Sequence, residues 1–225
     1  MYIEFQFTET MDLPNIQTEE ELISLLKAKP SIIDQIGENG ESLLMQLLYL
    51  KKIDLSKIVI SQKKKWNLFE AAASGQLKPL ISILDKQPVQ LNTLALDGFS
   101  ALSLACFFGH LEVAKELLER GADVNLAANN ESKIYPIHAA TASTNLDIIR
   151  LLLSNGADVN AAQHGGFRAI HSAASHGNLA MLKLLLHYNA EINVKTDAGI
   201  TPLRFAMDNE NNECSLILRL YGAYI

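Results

Sequence analysis

Apolar residues recur at helical spacing in short, paired runs through most of the chain, and turn-forming residues separate the runs. Leucine-rich runs occupy 111–120, 146–155 and 179–188. Apolar positions three and four residues apart predict helices that bury one face. A shorter helical pattern, such as 101–108 or 169–176, precedes each leucine-rich run, so the chain is predicted to form stacked helix pairs.

Nearly the same short segment follows each leucine-rich run in the second half of the chain. Its copies begin at Gly121, Gly156, Asn189 and Gly222, at spacings of 35, 33 and 33 residues, and the first two read Gly-Ala-Asp-Val-Asn. Self-similarity at a fixed period of about 20 to 50 residues predicts a solenoid, in which each unit packs against its neighbours. Glycine and asparagine tolerate the left-handed conformation that ends a helix, so the segment marks helix ends.

Capping residues and prolines also mark where the first helix of each unit begins. In Thr201-Pro202-Leu203 the threonine is a predicted N-cap, and proline occupies the first helical position, where its missing N–H costs nothing. Tyr135-Pro136-Ile137 keeps the proline, and Ser100-Ala101-Leu102 keeps the capping hydroxyl. Turn, cap and helix end therefore recur together and in register.

Together these elements resemble the ankyrin repeat, whose unit reads approximately D-x-x-G-x-T-P-L-H-x-A-A-x-x-G-H-x-x-V-V-x-L-L-L-x-x-G-A-D-V-N. Residues 97–125 follow this pattern closely, and the resemblance extends over 66–225. It implies an all-α ankyrin-repeat solenoid of about six helix-turn-helix pairs, with β-hairpin fingers and a leading N-terminal helix. The detailed sequence of the repeats is similar to that of stand-alone ankyrin-repeat proteins common in bacteria.

We expect three parts along the chain. Residues 1–18 form an extended lead-in, 19–65 a diverged capping helix and ankyrin-like repeat, and 66–225 five ankyrin repeats, of which the last acts as a C-terminal cap. The diverged part is inferred because the apolar run at 22–26 echoes the run at 80–84 at an offset of 58 residues, which the following prolines and turns keep. Two extra residues before Tyr135 predict a longer finger in one unit.

Charge and composition narrow the class of partner. The chain has 225 residues, 48% of them hydrophobic and 20% charged, and its net charge of −6 argues against nucleic acid and anionic membranes as partners. The run Lys63-Lys64-Lys65 is interpreted as a solvated helix end, with attraction of an acidic partner or a nucleic-acid backbone as the alternative. With no signal peptide or membrane span and two separated cysteines, we expect a cytoplasmic monomer.

The sequence contains none of the common catalytic or nucleotide-binding motifs that we looked for. The phosphate-loop, GxGxxG, HExxH, GxSxG and CxxC patterns are all absent, so we expect neither an enzyme nor a cofactor. One different hypothesis stays open: His164, His171 and His176 could supply imidazoles to the metal of a regulator or enzyme. The resemblance favours another role for His171, because it occupies the TPLH position, whose side chain hydrogen-bonds neighbouring turns.

The predicted binding surface is apolar. Ankyrin proteins usually meet a protein partner on a concave face, built from the fingers and the ends of the first helices. Here the residue after the turn glycine is always a large hydrophobe, and one first helix ends in two phenylalanines. We expect a partner-binding groove formed by Phe99, Phe107, Phe108, Ile134, Phe167 and Ile200, with a rim of His164, His176, Asp197 and Asp208. The alternative is that these hydrophobes pack between fingers and helices.

The resulting hypothesis is a non-enzymatic protein-interaction module that binds an unidentified protein. A secreted ankyrin protein directed at host proteins is an alternative within the same class, since the resemblance is to bacterial proteins.

Overall fold

A computed structural model of the chain describes residues 16–37 and 42–224. Thirteen α-helices occur in these residues. Their bounds are α1 Glu19–Ala28, α2 Leu43–Tyr49, α3 Ile53–Gln62, α4 Leu68–Ala73, α5 Leu77–Lys86, α6 Ala101–Phe107, α7 Leu111–Glu119, α8 Pro136–Ala142, α9 Leu146–Ser154, α10 Ala169–Ser175, α11 Leu179–His187, α12 Pro202–Asp208 and α13 Asn212–Leu220. The predicted lead-in, 1–18, lies outside the described residues except for its last three. None of the described helices is long and apolar enough to cross a membrane.

The helices form the six predicted pairs, from α2/α3 to α12/α13, behind the leading helix α1. The first helix of each pair packs against the first helix of the next pair, and from α5 to α13 each second helix packs against the next second helix. Two layers of helices therefore enclose one continuous apolar core. The predicted all-α solenoid is confirmed, and α1 followed by a short 3-10 helix at Pro30–Asp34 matches α5 followed by Pro88–Gln90, 58 residues later.

Side chains cap the first helices as the sequence indicates. The hydroxyl groups of Ser100 and Thr201 accept the N–H groups of Ser103 and Arg204, at 3.0 and 3.2 Å. Such caps satisfy N–H groups that the first turn of a helix leaves without partners.

At α8 the cap position is Tyr135, whose side chain makes no capping hydrogen bond. The ring of His138 bonds the start of the helix instead: its Nδ1 accepts the Tyr135 N–H at 3.2 Å. Its Nε2 lies 3.1 Å from the Ala161 carbonyl of the next unit. An accepting Nδ1 requires the proton to be on Nε2, so His138 is neutral and joins two units.

The helix ends use left-handed residues at the predicted places. Gly121, Gly156 and Gly222 have φ values of 90°, 85° and 91°, and Asn189 adopts φ 64° in the same position. Asn189 is therefore the conservative replacement that the sequence suggests. Thr144 also adopts a left-handed φ of 55° between α8 and α9, where a β-branched side chain makes that conformation costly.

The fingers are tight loops that join neighbouring units, and one isolated bridge, between Leu94 and Ser100, is the extent of β-structure in the described residues. Each is closed by a backbone hydrogen bond, for example from the Thr196 N–H to the Ile200 carbonyl at 3.0 Å. Successive fingers are also joined, since Asn129, His164 and Asp197 donate N–H groups to Gly98, Ser132 and Gly165 of the preceding finger. The long finger, 128–134, is bonded on both sides and lies within this row.

The asparagines that close the repeated segment join each unit to the next. Oδ1 of Asn125 accepts the Asp158 N–H at 2.8 Å, and its Nδ2 donates to the Gly156 carbonyl at 3.1 Å. Asn160 and Asn193 repeat both contacts one and two units later. The segment is therefore part of the scaffold.

The connection between α3 and α4, residues 63–67, is too short to form a finger. Lys63, at its start, is buried: Nζ donates to the Ile33 carbonyl at 2.7 Å and lies 3.0 Å from Oε1 of Glu70 and 3.7 Å from Asp34. The interpretation of Lys63 as part of a solvated helix end is therefore wrong, although Lys64 and Lys65 are exposed. A buried ion pair holds the first two helix pairs together where a finger is missing.

Candidate functional site

One surface of the array carries the predicted binding residues. We call it the finger face: it is formed by the finger loops and by the C-terminal ends of the first helices. The last two residues before each left-handed turn lie at these helix ends, which makes equivalent positions easy to identify. In pair order they are Tyr49-Leu50, Ala73-Ser74, Phe107-Phe108, Ala142-Ser143, Ser175-His176 and Asp208-Asn209.

Two of the predicted groove residues are not available to a partner. Phe99 is 6% exposed and Ile134 is 3% exposed, and both belong to the core of the array. Their assignment to the binding groove is therefore wrong: both side chains are buried in the array, in line with the alternative that the sequence left open. The apolar row therefore splits, since the equivalent residues Phe167 and Ile200 are only partly buried.

Phe107 and Phe108 form an aromatic cluster at the end of α6. Both are partly exposed, and their rings meet edge to face at 5.0 Å between centroids. Tyr49, from the first pair, adds a third ring 5.4 Å from that of Phe108. Tyr49 reaches this far because Ala73 and Ser74, in the intervening pair, are small and buried. We call Tyr49, Phe107 and Phe108 the N-terminal aromatic cluster.

The N-terminal aromatic cluster includes a carboxylate at its edge. The Tyr49 hydroxyl donates to Oδ2 of Asp97 at 3.0 Å, and the Phe99 N–H donates to Oδ1 at 3.1 Å. Burial raises the pKa of Asp97, although these two hydrogen bonds act in the opposite direction. Burial, together with the charge of Asp97, raises the pKa of Tyr49 well above its ordinary value. Asp97 as a whole residue is nevertheless exposed, so part of its surface meets solvent beside the rings.

A second aromatic cluster lies two units further along. The ring of Phe167 is 5.6 Å from that of Phe205 and 6.0 Å from that of His171. In the intervening unit the first helix ends in the small side chains of Ala142 and Ser143.

The four predicted rim residues are exposed. Asp208 is held by Arg204 at 2.9 Å, so its charge is already balanced. His176 uses Nδ1 to bond the Ser172 carbonyl at 2.8 Å, and the backbone N–H groups of His164 and Asp197 join their fingers to the preceding ones. The rim is therefore polar, and within the described residues the Asp208 carboxylate is ion-paired, whereas no ion pair involves Asp197.

The three histidines of the metal hypothesis are not brought together. His171 is 1% exposed and accepts the Arg168 N–H at 3.0 Å, whereas His164 and His176 lie on the surface. Residues 16–37 and 42–224 contain no group of three histidine, cysteine, aspartate or glutamate side chains that could hold a metal ion. Burial lowers the pKa of His171 to about 4, opposed in part by the Val194 carbonyl, so the ring is a neutral scaffold group.

Sequence reasoning missed Tyr49, Asp97 and Phe205. Tyr49 lies in a unit that lacks a following finger, so its equivalence to Phe107 depends on recognising Lys51, with φ 56°, as the counterpart of Gly109. Asp97 begins the segment 97–125, which follows the repeat pattern, and the pattern itself starts with an aspartate, so Asp97 gave no separate signal. The signal available for Phe205 was its size, at a position where the preceding units have Leu104, Ala139 and Ser172.

Comparison with known proteins agrees with this architecture. A family model described as ankyrin repeats matches in three overlapping copies, over residues 17–128, 68–163 and 127–196. An ankyrin repeat protein of Rickettsia bellii is 29% identical over 146 residues, which are 56% of this chain and 43% of that protein.

Two animal proteins also match. The ankyrin repeat and KH domain-containing protein mask-1 of Caenorhabditis elegans is 28% identical over 159 residues, 66% of this chain and 6% of that protein. The ankyrin repeat and SAM domain-containing protein 6 of Rattus norvegicus is 33% identical over 85 residues, 37% of this chain and 10% of that protein. The chain thus spans less than half the length of each of these relatives.

Ankyrin repeats generally mediate protein–protein interaction, and the family is typically non-enzymatic. With its six stacked helix pairs, its row of bonded fingers and a family match that covers most of its length, the chain belongs to the ankyrin-repeat family.

Proposed function

We propose that this chain is a non-enzymatic interaction module that binds a protein partner on the finger face. The observation that carries the proposal is the partly exposed Phe107-Phe108 pair, at positions where every later unit has a small or polar residue. Aromatic side chains gathered on an accessible surface are typical binding anchors, because they bury a large apolar area when a partner covers them.

The remaining groove residues extend this contact toward the C-terminal units. Phe167 and Ile200 supply partly exposed apolar surface, and His164, His176, Asp197 and Asp208 supply a polar rim. The two cysteines are buried free thiols, which is compatible with the reducing cytoplasm that we propose as the compartment of a monomeric protein.

The test replaces residues of one unit by those that other units of the array have at the equivalent positions. The variant Phe107→Ala/Phe108→Ser gives the third pair the residues that the second and fourth pairs already have, so the fold should remain. As a matched control, Leu216→Lys/Leu220→His gives the last helix the residues of α11 at two positions that are 59% and 71% exposed, away from the finger face.

The full chain is used to purify bound proteins from its native host, and the captured proteins are identified by mass spectrometry. We expect specific partners of the wild-type chain to be lost with Phe107→Ala/Phe108→Ser and kept with Leu216→Lys/Leu220→His. Retention of the same partners by the first variant, at unchanged circular dichroism, would show that binding occurs elsewhere.

A further inference from the structure

Asp97 differs from the other acidic residues of the finger face because its carboxylate is hydrogen-bonded to Tyr49, a member of the N-terminal aromatic cluster. It forms no ion pair with any residue in the described ranges, whereas Asp208 is paired with Arg204 and Glu70 with Lys63. Its carboxylate accepts the Tyr49 hydroxyl and the Phe99 N–H. A carboxylate offers about four acceptor sites, so acceptor capacity remains after these two hydrogen bonds.

The rings beside this carboxylate define what can bind next to it. Tyr49 lies 5.4 Å from Phe108 with the ring planes at 49°, and Phe107 meets Phe108 edge to face. The three side chains and Asp97 thus form a corner with apolar walls and one negative edge. The negative face of an aromatic ring attracts a cation, and guanidinium groups also stack on rings.

A partner that covers this corner must also balance the carboxylate. An apolar side chain alone would bury Asp97 without a counter-charge, which is costly, and a phosphate or carboxylate would be repelled. A side chain with a long aliphatic stem and a cationic end satisfies both features, because the stem packs on the rings while the charge meets Asp97. The net charge of −6 on the chain also favours a basic partner segment.

We propose that the corner formed by Tyr49, Asp97 and Phe108 binds an arginine or lysine side chain of the protein partner. This inference rests on the proposed function, since it names the chemistry of the segment that the finger face takes.

The experiment selects ligands from a displayed library of random linear peptides on the immobilised full chain. The same peptides are then measured against Asp97→Asn and against Asp147→Asn, a control that removes an exposed carboxylate in the first turn of α9. We expect enrichment of arginine or lysine over the unselected library. Affinity should fall about tenfold with Asp97→Asn, as expected for the loss of one charge-assisted contact, and should be unchanged with Asp147→Asn.

A double-mutant cycle then localises the contact. Replacing the basic residue of a selected peptide by norleucine should weaken binding to the wild-type chain about tenfold and should have little effect on Asp97→Asn. Binding should also weaken as salt is raised, because the contact is partly exposed.

The outcomes separate this inference from the proposed function. Peptides that require Phe107 and Phe108 but show no basic enrichment, or no coupling to Asp97, would overturn the inference and leave the binding face intact. If no peptide is enriched, or if enriched peptides bind Phe107→Ala/Phe108→Ser as well as wild type, both proposals fail.

Discussion

Removing one partner of the buried Lys63–Glu70 pair should strongly destabilise the first two helix pairs. The two side chains are 1% and 2% exposed and lie 3.0 Å apart. At an effective dielectric constant of about 20, charges at this distance attract each other by roughly 5 kcal/mol. Breaking a buried pair by removing one partner costs about 3 to 5 kcal/mol, because the other charge is left without compensation.

The structure indicates which of the two substitutions costs more. In Lys63→Met, Glu70 loses the one cation paired with it in the described residues, so we expect a loss near the upper end, about 5 kcal/mol. In Glu70→Gln, Lys63 keeps the Ile33 carbonyl at 2.7 Å and Asp34 at 3.7 Å, so the loss should be near the lower end, about 3 kcal/mol. The double variant should lose less than the sum of the two, since it buries no unpaired charge.

The assay is urea unfolding followed by circular dichroism and by the fluorescence of Trp66, the single tryptophan, whose ring lies 5.8 Å from the Lys63 ammonium. Coincidence of the two transitions allows the free energies of unfolding to be compared. Lys64→Met, at the exposed neighbour, should stay within about 0.5 kcal/mol of wild type. Additive effects of the two single variants, or effects no larger than that of Lys64→Met, would refute this reasoning.

Two further predictions concern the turns and the buried histidines. Thr144→Gly should raise the free energy of unfolding by about 1 kcal/mol, because glycine adopts the left-handed conformation of this position without strain. Gly109→Ala should lower the free energy of unfolding by about 1 kcal/mol, because alanine is strained at the left-handed φ of Gly109. Space is not the cause, since the added Cβ would lie 3.8 Å from the Asn145 side chain, an ordinary contact distance. Urea midpoints test both, and a neutral effect of both changes would contradict the strain argument. Burial lowers the pKa of His138 and of His171 to about 4, below the value of about 6.5 expected for the unfolded chain, so the unfolded state binds more protons between these values. Stability should therefore fall as the pH is lowered from about 6.5 to about 4, and the double variant His138→Gln/His171→Gln should show a smaller fall; a wild-type urea midpoint that does not change over this range would contradict the prediction.

Much of the fold could be predicted because the signals are local. Caps such as Ser100 and Thr201, and helix ends such as Gly121 and Asn189, act within one turn of helix, so each unit specifies its own helix pair. Periodicity then places equivalent helices against each other. The number of pairs and the leading helix follow from this repetition, and the structure confirms them.

The binding residues were harder to predict because exposure depends on neighbouring units. Phe99, Ile134, Phe167 and Ile200 occupy one repeating position, yet the first two are buried and the last two partly exposed. Repetition identifies a row of equivalent side chains but cannot say which neighbours cover each one. The burial of Lys63 was likewise not predictable from its own segment, because it depends on a glutamate of the next helix, Glu70, that lies beside this lysine of a basic run.

The missing finger at 63–67 links the scaffold to the candidate site. With no finger between the first and second pairs, the ion pair of Lys63 and Glu70 holds these pairs together. The second pair carries only Ala73 and Ser74 on the finger face, so Tyr49 extends across it to Asp97 in the first complete finger. Contacts in repeat proteins ordinarily join adjacent units, and this one joins the first helix pair to the third. The most diverged part of the array therefore supplies a wall of the corner that we propose for the partner's basic side chain.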